Sequence, residues 1–280
     1  MEKRRSYPTD VTDEQWSRLE PLIPAPKPGG RPPSYGRREI VDAVLDQLRG
    51  GAAWRMMPHD LPPWGFTCHY WRAWRKDGTW ERAHDTLRTE VRQAMGKQAQ
   101  PSAGIVDSQS VKTTDRGGVH GYDAGKKING RKRHLSVDTL GLVWLVAVTA
   151  AGTQDRDGAR TLLAALATGM RRLRVIWADG GYAGALAGWV ASLRKWGKVR
   201  LELVARNREG QGFQRLPHRW IVERTFGWLH RGRRLSKDYE HLTATSECTI
   251  RVDMICLMVR RLAPPKKRRR ERRSRRRRLF

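Results

Sequence analysis

Three acidic side chains occupy settings that suit metal-dependent phosphoryl transfer. Asp107 lies inside the apolar, strand-like run GIVDSQ, Asp179 ends a second apolar run, VIWAD, and Glu223 lies in the helix-like run RWIVERTFGWL. Burying a carboxylate among apolar residues is costly unless it binds a cation or a hydrogen-bond donor. Together, three carboxylates can hold two divalent ions about 3.5–4 Å apart on either side of a phosphodiester. Taken singly, each acid is also compatible with a cap or an ion-pair partner.

Alternating strands and helices after residue 104 are predicted to bring these acids together. The predicted order is β-β-β-α-β-α-β-α, which is typical of an RNase H-like fold: a mixed five-stranded α/β sheet flanked by helices. In that fold the first and fourth strands, which carry Asp107 and Asp179, are adjacent and parallel, about 4.8 Å apart. The second and third strands form a hairpin that turns at Leu140 and Gly141. Asp157 is the predicted N-cap of the first helix.

The N-terminal third has helical periodicity. We predict a helix over residues 7–24, with Thr12 or Asp13 as its cap, and about three more helices up to residue 98. Arginine and tryptophan alternate in this region, which favours a small helix-turn-helix-like DNA-binding domain, although most of the tryptophans suit a core. The predicted division is a helical domain over 1–98, a catalytic domain over 99–262 and a disordered Arg/Lys-rich tail over 263–280.

The charge of the chain predicts a polyanionic partner. The 280 residues include 56 Lys and Arg against 28 Asp and Glu, a formal net charge of +28. Such an excess indicates DNA, RNA or an anionic membrane surface. Segment 264–280 holds eleven basic residues and one glutamate, so we expect it to be disordered when free. We interpret this tail as a non-specific electrostatic tether, with a phosphate clamp as the alternative.

Other polar residues have simpler explanations. Asp155 and Asp157 precede a helix and suit capping, and Asp138 suits a turn. His120 and His134 are interpreted as structural or DNA-contacting residues. The cysteines, Cys68, Cys248 and Cys256, lack zinc-site spacing and suggest a reducing compartment. The sequence has neither a membrane-spanning run nor a signal peptide, so we expect a cytoplasmic protein.

Several stretches resemble the DDE transposases of bacterial insertion sequences, specifically insertion-sequence family five. They occur in the expected order over roughly residues 7 to 260, and each alone would be modest support. The matching stretches are TDEQWSRLEPLIP, GGRPPSY, WRMMPHDLPPW, DSQSVKT, GRKRHLSVDTLGL, WADGGY, RWIVERTFGWL and RRLSKDYE.

This resemblance implies a transposase that binds terminal inverted repeats and catalyses DNA cleavage and strand transfer. Asp107, Asp179 and Glu223 would be both the catalytic residues and the metal ligands. Two Mg²⁺ ions are expected, with Mn²⁺ able to substitute. The implied partners are double-stranded DNA, both the repeats and the target, and further copies of the chain, in a homodimer or larger assembly on DNA. No membrane or small-molecule substrate is expected, and the protein would be found with the bacterial nucleoid.

Basic residues near the acids and in the helical region are candidate DNA contacts, although each also suits a solvated surface. Residues 126–133 are predicted to form a basic hairpin tip at Asn129 and Gly130. Tyr182 could stack on an unpaired base or pack beside the strand. The family often has a tyrosine and a lysine where this chain has Leu216 and His230. The candidates are Arg72, Arg75, Lys76, Lys126, Lys127, Arg131, Lys132, Arg133, Tyr182, Arg219, Arg224, Arg231, Arg233, Arg234 and Lys237.

Two other functions remain open from the sequence. A metal-dependent nuclease of the same fold would cut DNA without joining it. A DNA-binding repressor that has lost catalysis would bind without cutting, although all three acids are retained. A nucleoid-type or RNA-coating protein would explain the charge but would not need the carboxylates.

Overall fold

The computed structural model describes residues 4–26, 29, 34–115, 117–193, 199–204 and 218–265. The helices are α1 (Asp13–Leu19), α2 (Arg37–Gly50), α3 (Trp64–Lys76), α4 (Thr79–Ala94), α5 (Asp155–Gly169), α6 (Ala185–Ser192), α7 (Arg219–Leu229) and α8 (Thr243–Leu262). The strands are β1 (Ala103–Lys112), β2 (Gly121–Asp123), β3 (Ile128–Asp138), β4 (Val143–Ala150), β5 (Val175–Asp179) and β6 (Arg200–Val204). None of the helices within these ranges is both long and apolar enough to span a bilayer.

The strands form one mixed sheet in the order β2-β3-β1-β5-β6. The short strand β2 pairs with residues 128–130 of β3, and β4 pairs with residues 131–137 on the same side. β1 is antiparallel to β3 and parallel to β5, as predicted. The described sheet has six strands instead of the predicted five. The difference is β2, which is too short to produce a periodic signal.

The turn between β3 and β4 lies where the sequence predicts it. The buried carboxylate of Asp138 accepts hydrogen bonds from the amides of Leu140 and Leu142, at 2.8 and 2.9 Å. Gly141 has a φ of 78°, a left-handed conformation that glycine adopts without a Cβ penalty. Arg92 of α4 pairs with the same carboxylate, so the turn is also fixed to the helical region.

The predicted turn at Asn129 and Gly130 is wrong. Both residues lie inside β3, and the chain turns earlier, between Asp123 and Ile128. Gly130 is required for another reason: a Cβ at this position would lie 2.0 Å from the carbonyl oxygen of Val111 on β1. This glycine therefore permits a close approach of two strands, which a sequence pattern cannot distinguish from a turn.

Helices cover both faces of the sheet. One core cluster joins α1–α4, α7 and α8 to β3 and β4, and the other packs α5 and α6 against β1 and β5. Trp71, Trp74 and Trp80 are buried in the first cluster, as most of the tryptophans were predicted to be. Because the N-terminal helices share this core with the sheet, the predicted boundary near residue 98 does not coincide with a break in the packing.

The start of the chain is less helical than predicted. Helix α1 begins at Asp13, and a 3₁₀ turn follows over Glu20–Leu22, so the predicted helix over 7–24 is too long. Thr12 is the cap, as one of the two alternatives predicted, and forms a reciprocal capping box with Gln15.

Gly158 lets α5 lie against β3. A Cβ at this position would meet the imidazole of the buried His134 at 2.1–2.3 Å.

We expect Gly158→Ala to lower the free energy of unfolding by about 1–3 kcal/mol, because neither the ring nor the helix can move freely. Gly188→Ala on α6, where nothing lies within 4 Å, is the control. It should be neutral or stabilising by up to about 1 kcal/mol. Urea unfolding of both variants tests this, and equal effects would contradict the assigned role of Gly158.

Candidate active site

Asp107 and Asp179 lie side by side on the two parallel strands. The last paired residues of β1 and β5 are Ile105 and Trp177, and each aspartate follows two residues later on its own strand. The Ser108 amide donates to Asp107 Oδ1 at 2.7 Å, and the Gly181 amide donates to Asp179 Oδ1 at 2.9 Å. Both carboxylates are therefore held on adjacent strands, with Asp179 at the carboxyl end of β5 and Asp107 beside it in the middle of β1.

The interactions around the Asp107 carboxylate do not offset the cost of burying its negative charge. Burial, with a smaller contribution from Asp179, raises the pKa of Asp107 to about 6, against the lowering effects of the Ser108 amide, Arg219 and Lys126. A carboxylate in this situation is stabilised by a nearby cation. The pair Asp107 and Asp179 therefore has the oxygen donors and the electrostatic character that a divalent metal ion requires.

Helix α7 carries the third acid beside this pair. Its predicted apolar stripe, Val222, Phe226 and Leu229, is buried, which leaves Glu223 on the outer face. Before the helix, His218 has a φ of 65°, and its imidazole stacks on the indole of Trp177 at a centroid distance of 3.9 Å. This stack fixes the start of α7 to β5.

Arg219 links the helix to the acids. Its guanidinium lies 3.3 Å from Asp179 Oδ2 and 3.3 Å from Glu223 Oε1. The Glu223 side chain is 54% exposed. Within the described part of the chain, no three His, Cys, Asp or Glu side chains converge closely enough to hold a metal ion. The donor set at this point is therefore the two aspartates, while Glu223 is paired with Arg219.

Comparison of the sequence with known proteins identifies its family. The family model described as a transposase DDE domain matches residues 98–258, more than half of the chain. The chain belongs to the DDE transposase family. A second model, described as a putative transposase of the IS4/5 family, matches residues 11–84. The insertion element IS402 uncharacterized 16.2 kDa protein of Burkholderia cepacia is 34% identical over 116 residues, which cover 38% of this chain and 76% of that protein.

Family membership confirms two predictions made from the sequence. The chain is a transposase of an insertion-sequence type, and its mixed sheet with flanking helices is the RNase H-like fold of the DDE domain. DDE transposase domains act on DNA and generally use divalent metal ions.

The transposase has a fourth acid near the site, Asp155, whose sequence position suggested a helix cap. Asp155 accepts a hydrogen bond from Ser108 Oγ at 2.7 Å and pairs with Lys132 Nζ at 2.9 Å. Burial raises the pKa of Asp155, but hydrogen bonds from Lys132 and Ser108 outweigh it, so the pKa is lowered. The N-cap of α5 is Gln154, so the predicted cap at Asp157 is wrong. The sequence contained one indication of this contact, because Ser108, which binds Asp155, directly follows Asp107.

Tyr182 cannot stack on a base in this conformation. Its side chain is 1% exposed, so the prediction of base stacking is wrong and the packing alternative is right. Burial raises the pKa of its hydroxyl well above the usual value, with further contributions from Asp107, Asp155 and Asp179. The residue therefore packs in the core cluster that joins α5 and α6 to β1 and β5.

The basic residues of β3 are buried. Arg131 pairs with Asp238, Lys132 pairs with Asp155, and Arg133 donates to the carbonyl oxygens of Leu235 and Lys237. Their predicted role as phosphate contacts on a hairpin tip is wrong, because β3 is an interior strand covered on both faces. Arg234 is likewise buried and pairs with Glu240 at 2.7 Å, which corrects its prediction as a DNA contact.

The other basic candidates remain accessible in whole or in part. Lys126 lies near the acids, with its Nζ 3.4 Å from the Ser108 carbonyl oxygen. Arg224 is half-buried over the rings of Trp220 and Trp228. The exposed candidates are Arg72, Lys76, Lys126, Lys127, Arg231, Arg233 and Lys237, and the half-buried ones are Arg75, Arg219 and Arg224.

The chain departs from the family pattern at Leu216 and His230, and the structure describes only the second of these residues. His230, where the family often has lysine, contacts Gln109 of β1, with 3.0 Å between the two Nε2 atoms. Leu216 lies outside the described residues, as does most of the predicted tail, residues 266–280.

Proposed function

We propose that this transposase binds the terminal inverted repeats of an insertion sequence and catalyses DNA cleavage and strand transfer at Asp107, Asp179 and Glu223. The observation that carries the proposal is the placement of Asp107 and Asp179 on adjacent parallel strands, with Glu223 joined to Asp179 through Arg219. The three acids are distant in sequence, so chance would seldom bring them to one place beside the sheet.

Asp107, Asp179 and Glu223 would hold two Mg²⁺ ions, with Mn²⁺ able to substitute. When bound, the ions supply Lewis-acid activation of the attacking oxygen and stabilise charge on the incoming and leaving oxygens. The amides of Ser108 and Gly181 keep the two aspartates in fixed rotamers, so little reorganisation is needed. Lys126, at the edge of the acids, would contact a substrate phosphate.

The helical region, residues 1–98, would recognise the DNA ends, and residues 99–262 would carry out the chemistry. On α3, Arg72 and Lys76 lie four residues apart on the exposed face, with Arg75 half-buried beside them. Arg231, Arg233 and Lys237 extend the basic surface after α7. Two copies or more would assemble on the two ends of the element, in the bacterial cytoplasm with the nucleoid, and the tail over 263–280 would add non-specific affinity.

The exposed face of α3 provides a test of DNA binding. We expect replacing Arg72 and Lys76 together by alanine to weaken binding to a terminal repeat about tenfold and to reduce the salt dependence of log K by about 2. The charge-matched control replaces Lys97 and Arg171, which are exposed near the opposite end of β1 and β5. Fluorescence anisotropy at several salt concentrations measures the DNA affinity of both double variants. Equal losses in both double variants would indicate that only net charge matters.

Strand transfer is the direct test of the function. The assay combines a pre-cleaved oligonucleotide carrying the terminal repeat, a target plasmid and Mg²⁺, with Asp179→Ala as the control. We expect joined product with the wild type and a loss on the order of 10³-fold or more in the variant. Cleavage without joining would instead indicate a nuclease. Tight binding that is independent of Mg²⁺, with neither reaction, would indicate a repressor.

A further inference from the structure

One arginine is the shared ion-pair partner of two site acids. Arg219 contacts Asp179 through Nη2 and Glu223 through Nε, both at 3.3 Å. It also lowers the pKa of Asp107, so its charge acts on all three carboxylates. Among the described residues, the ion pairs of Asp179 and Glu223 are both made with this side chain.

The position of Arg219 is set by the fold. It is the first residue of α7 and lies four residues before Glu223, so the two side chains share a face of the helix. The stack of His218 on Trp177 fixes this end of the helix to β5, which carries Asp179. The side chains of Arg219 and Asp179 are 28% and 24% exposed, so their ion pair is partly shielded from water, whereas the Glu223 side chain is 54% exposed.

The same guanidinium lies between two of the acids. It contacts both Asp179 and Glu223, and the Glu223 side chain is 54% exposed. A divalent ion that binds Asp179 and Glu223 together must break both ion pairs. The positive charge of Arg219 also opposes the approach of a second cation at this distance.

We propose that Arg219 is the resident counter-ion of the metal site, which neutralises the carboxylates in the metal-free protein and is displaced when a divalent ion binds. This inference rests on the metal site of the proposed function. Arg219 thereby sets the metal affinity of the site and prevents three uncompensated carboxylates from facing one another.

Mn²⁺ binding tests the inference without any measurement of activity. Free Mn²⁺ is quantified by electron paramagnetic resonance during titration of the full chain. We expect Arg219→Gln to bind the first Mn²⁺ about tenfold more tightly than the wild type, because the competing charge is gone. Arg219→Lys retains the charge but cannot bridge two carboxylates, so its affinity should fall between the two. The charge-matched control is Arg156→Gln, an exposed arginine in the first turn of α5.

A thermal unfolding measurement accompanies the titration. In the presence of EDTA, Arg219→Gln should have a lower Tm than the wild type, and saturating Mn²⁺ should raise its Tm by more, because the ion then replaces the positive charge that the variant lacks. This comparison also shows that each variant is folded before its affinity is interpreted.

The outcomes separate this inference from the proposed function. The counter-ion role is overturned if Arg219→Gln binds Mn²⁺ no more tightly than the wild type. The metal site is retained in that case if the wild type binds Mn²⁺ and Asp107→Asn abolishes this binding. An equal gain in Arg156→Gln would also overturn it, since long-range charge would suffice. No saturable binding by any form would overturn the metal site and the inference together.

Discussion

Asp107→Asn is expected to abolish strand transfer while making the metal-free protein more stable. Activity should fall on the order of 10³-fold or more, because a neutral amide is a much poorer ligand for a hard cation than a carboxylate. The free energy of unfolding should rise by about 1–2 kcal/mol, because a largely buried charge beside Asp179 is removed. Strand-transfer assays and urea unfolding in EDTA measure the two effects.

The matched control for this substitution is Asp157→Asn. The Asp157 side chain is 51% exposed, and its ion pair with Arg160 is long, at 3.8 Å. We expect neither activity nor stability to change measurably. If Asp107→Asn lowers activity and raises stability while Asp157→Asn changes neither, Asp107 is a residue retained for function at a cost in stability. Retention of more than a tenth of the activity by Asp107→Asn would remove it from the catalytic set.

Arg131→Ala is expected to destabilise the fold by about 3–5 kcal/mol, because it leaves the buried carboxylate of Asp238 without its partner. The guanidinium is fully buried and lies 3.1 Å from Asp238 Oδ1. It also donates to the carbonyl oxygens of Val119, Glu240 and His241, at 2.6–2.7 Å. It therefore joins β3 to the segment before α8. Arg131→Lys should also be destabilising, since an ammonium group cannot reach all of these acceptors.

Lys127→Ala is the control, because Lys127 is exposed in the turn before β3. Its stability should change by no more than about 0.5 kcal/mol. Urea unfolding of the three variants, with DNA binding measured where each is folded, tests the assignment. Unchanged stability of Arg131→Ala together with weaker DNA binding would restore the interpretation of Arg131 as a phosphate contact.

Local sequence patterns predicted the catalytic half of the chain well. Strand β1, the hairpin of β3 and β4, and helices α5 and α7 have strong periodicity, and each was predicted near its observed position. The adjacency of β1 and β5 followed from the order of the elements, because few connections of such strands and helices are physically allowed. Asp107 and Asp179 therefore came together as predicted.

The same patterns were misleading for charged residues. Arg131, Lys132 and Arg133 have the sequence of a solvated basic hairpin, yet β3 is covered by α5 on one face and by the segment before α8 on the other. Strand alternation tells which residues share a face, but it does not tell what covers that face. That depends on segments that are distant along the chain: Lys132 contacts a residue 21 positions away, and Arg133 contacts a residue 102 positions away.

The sequence by itself determined most of the strands and helices of the second half of the chain and singled out three candidate acids, because short-range periodicity and residue chemistry are local properties. Only the tertiary structure decided that Asp155 joins β1 through Ser108, that Tyr182 is buried in the core, and that Arg219 connects Asp179 with Glu223. These contacts join elements that are distant along the chain. Which polar partners a residue finds there depends on the packing of whole layers, and no local pattern records it.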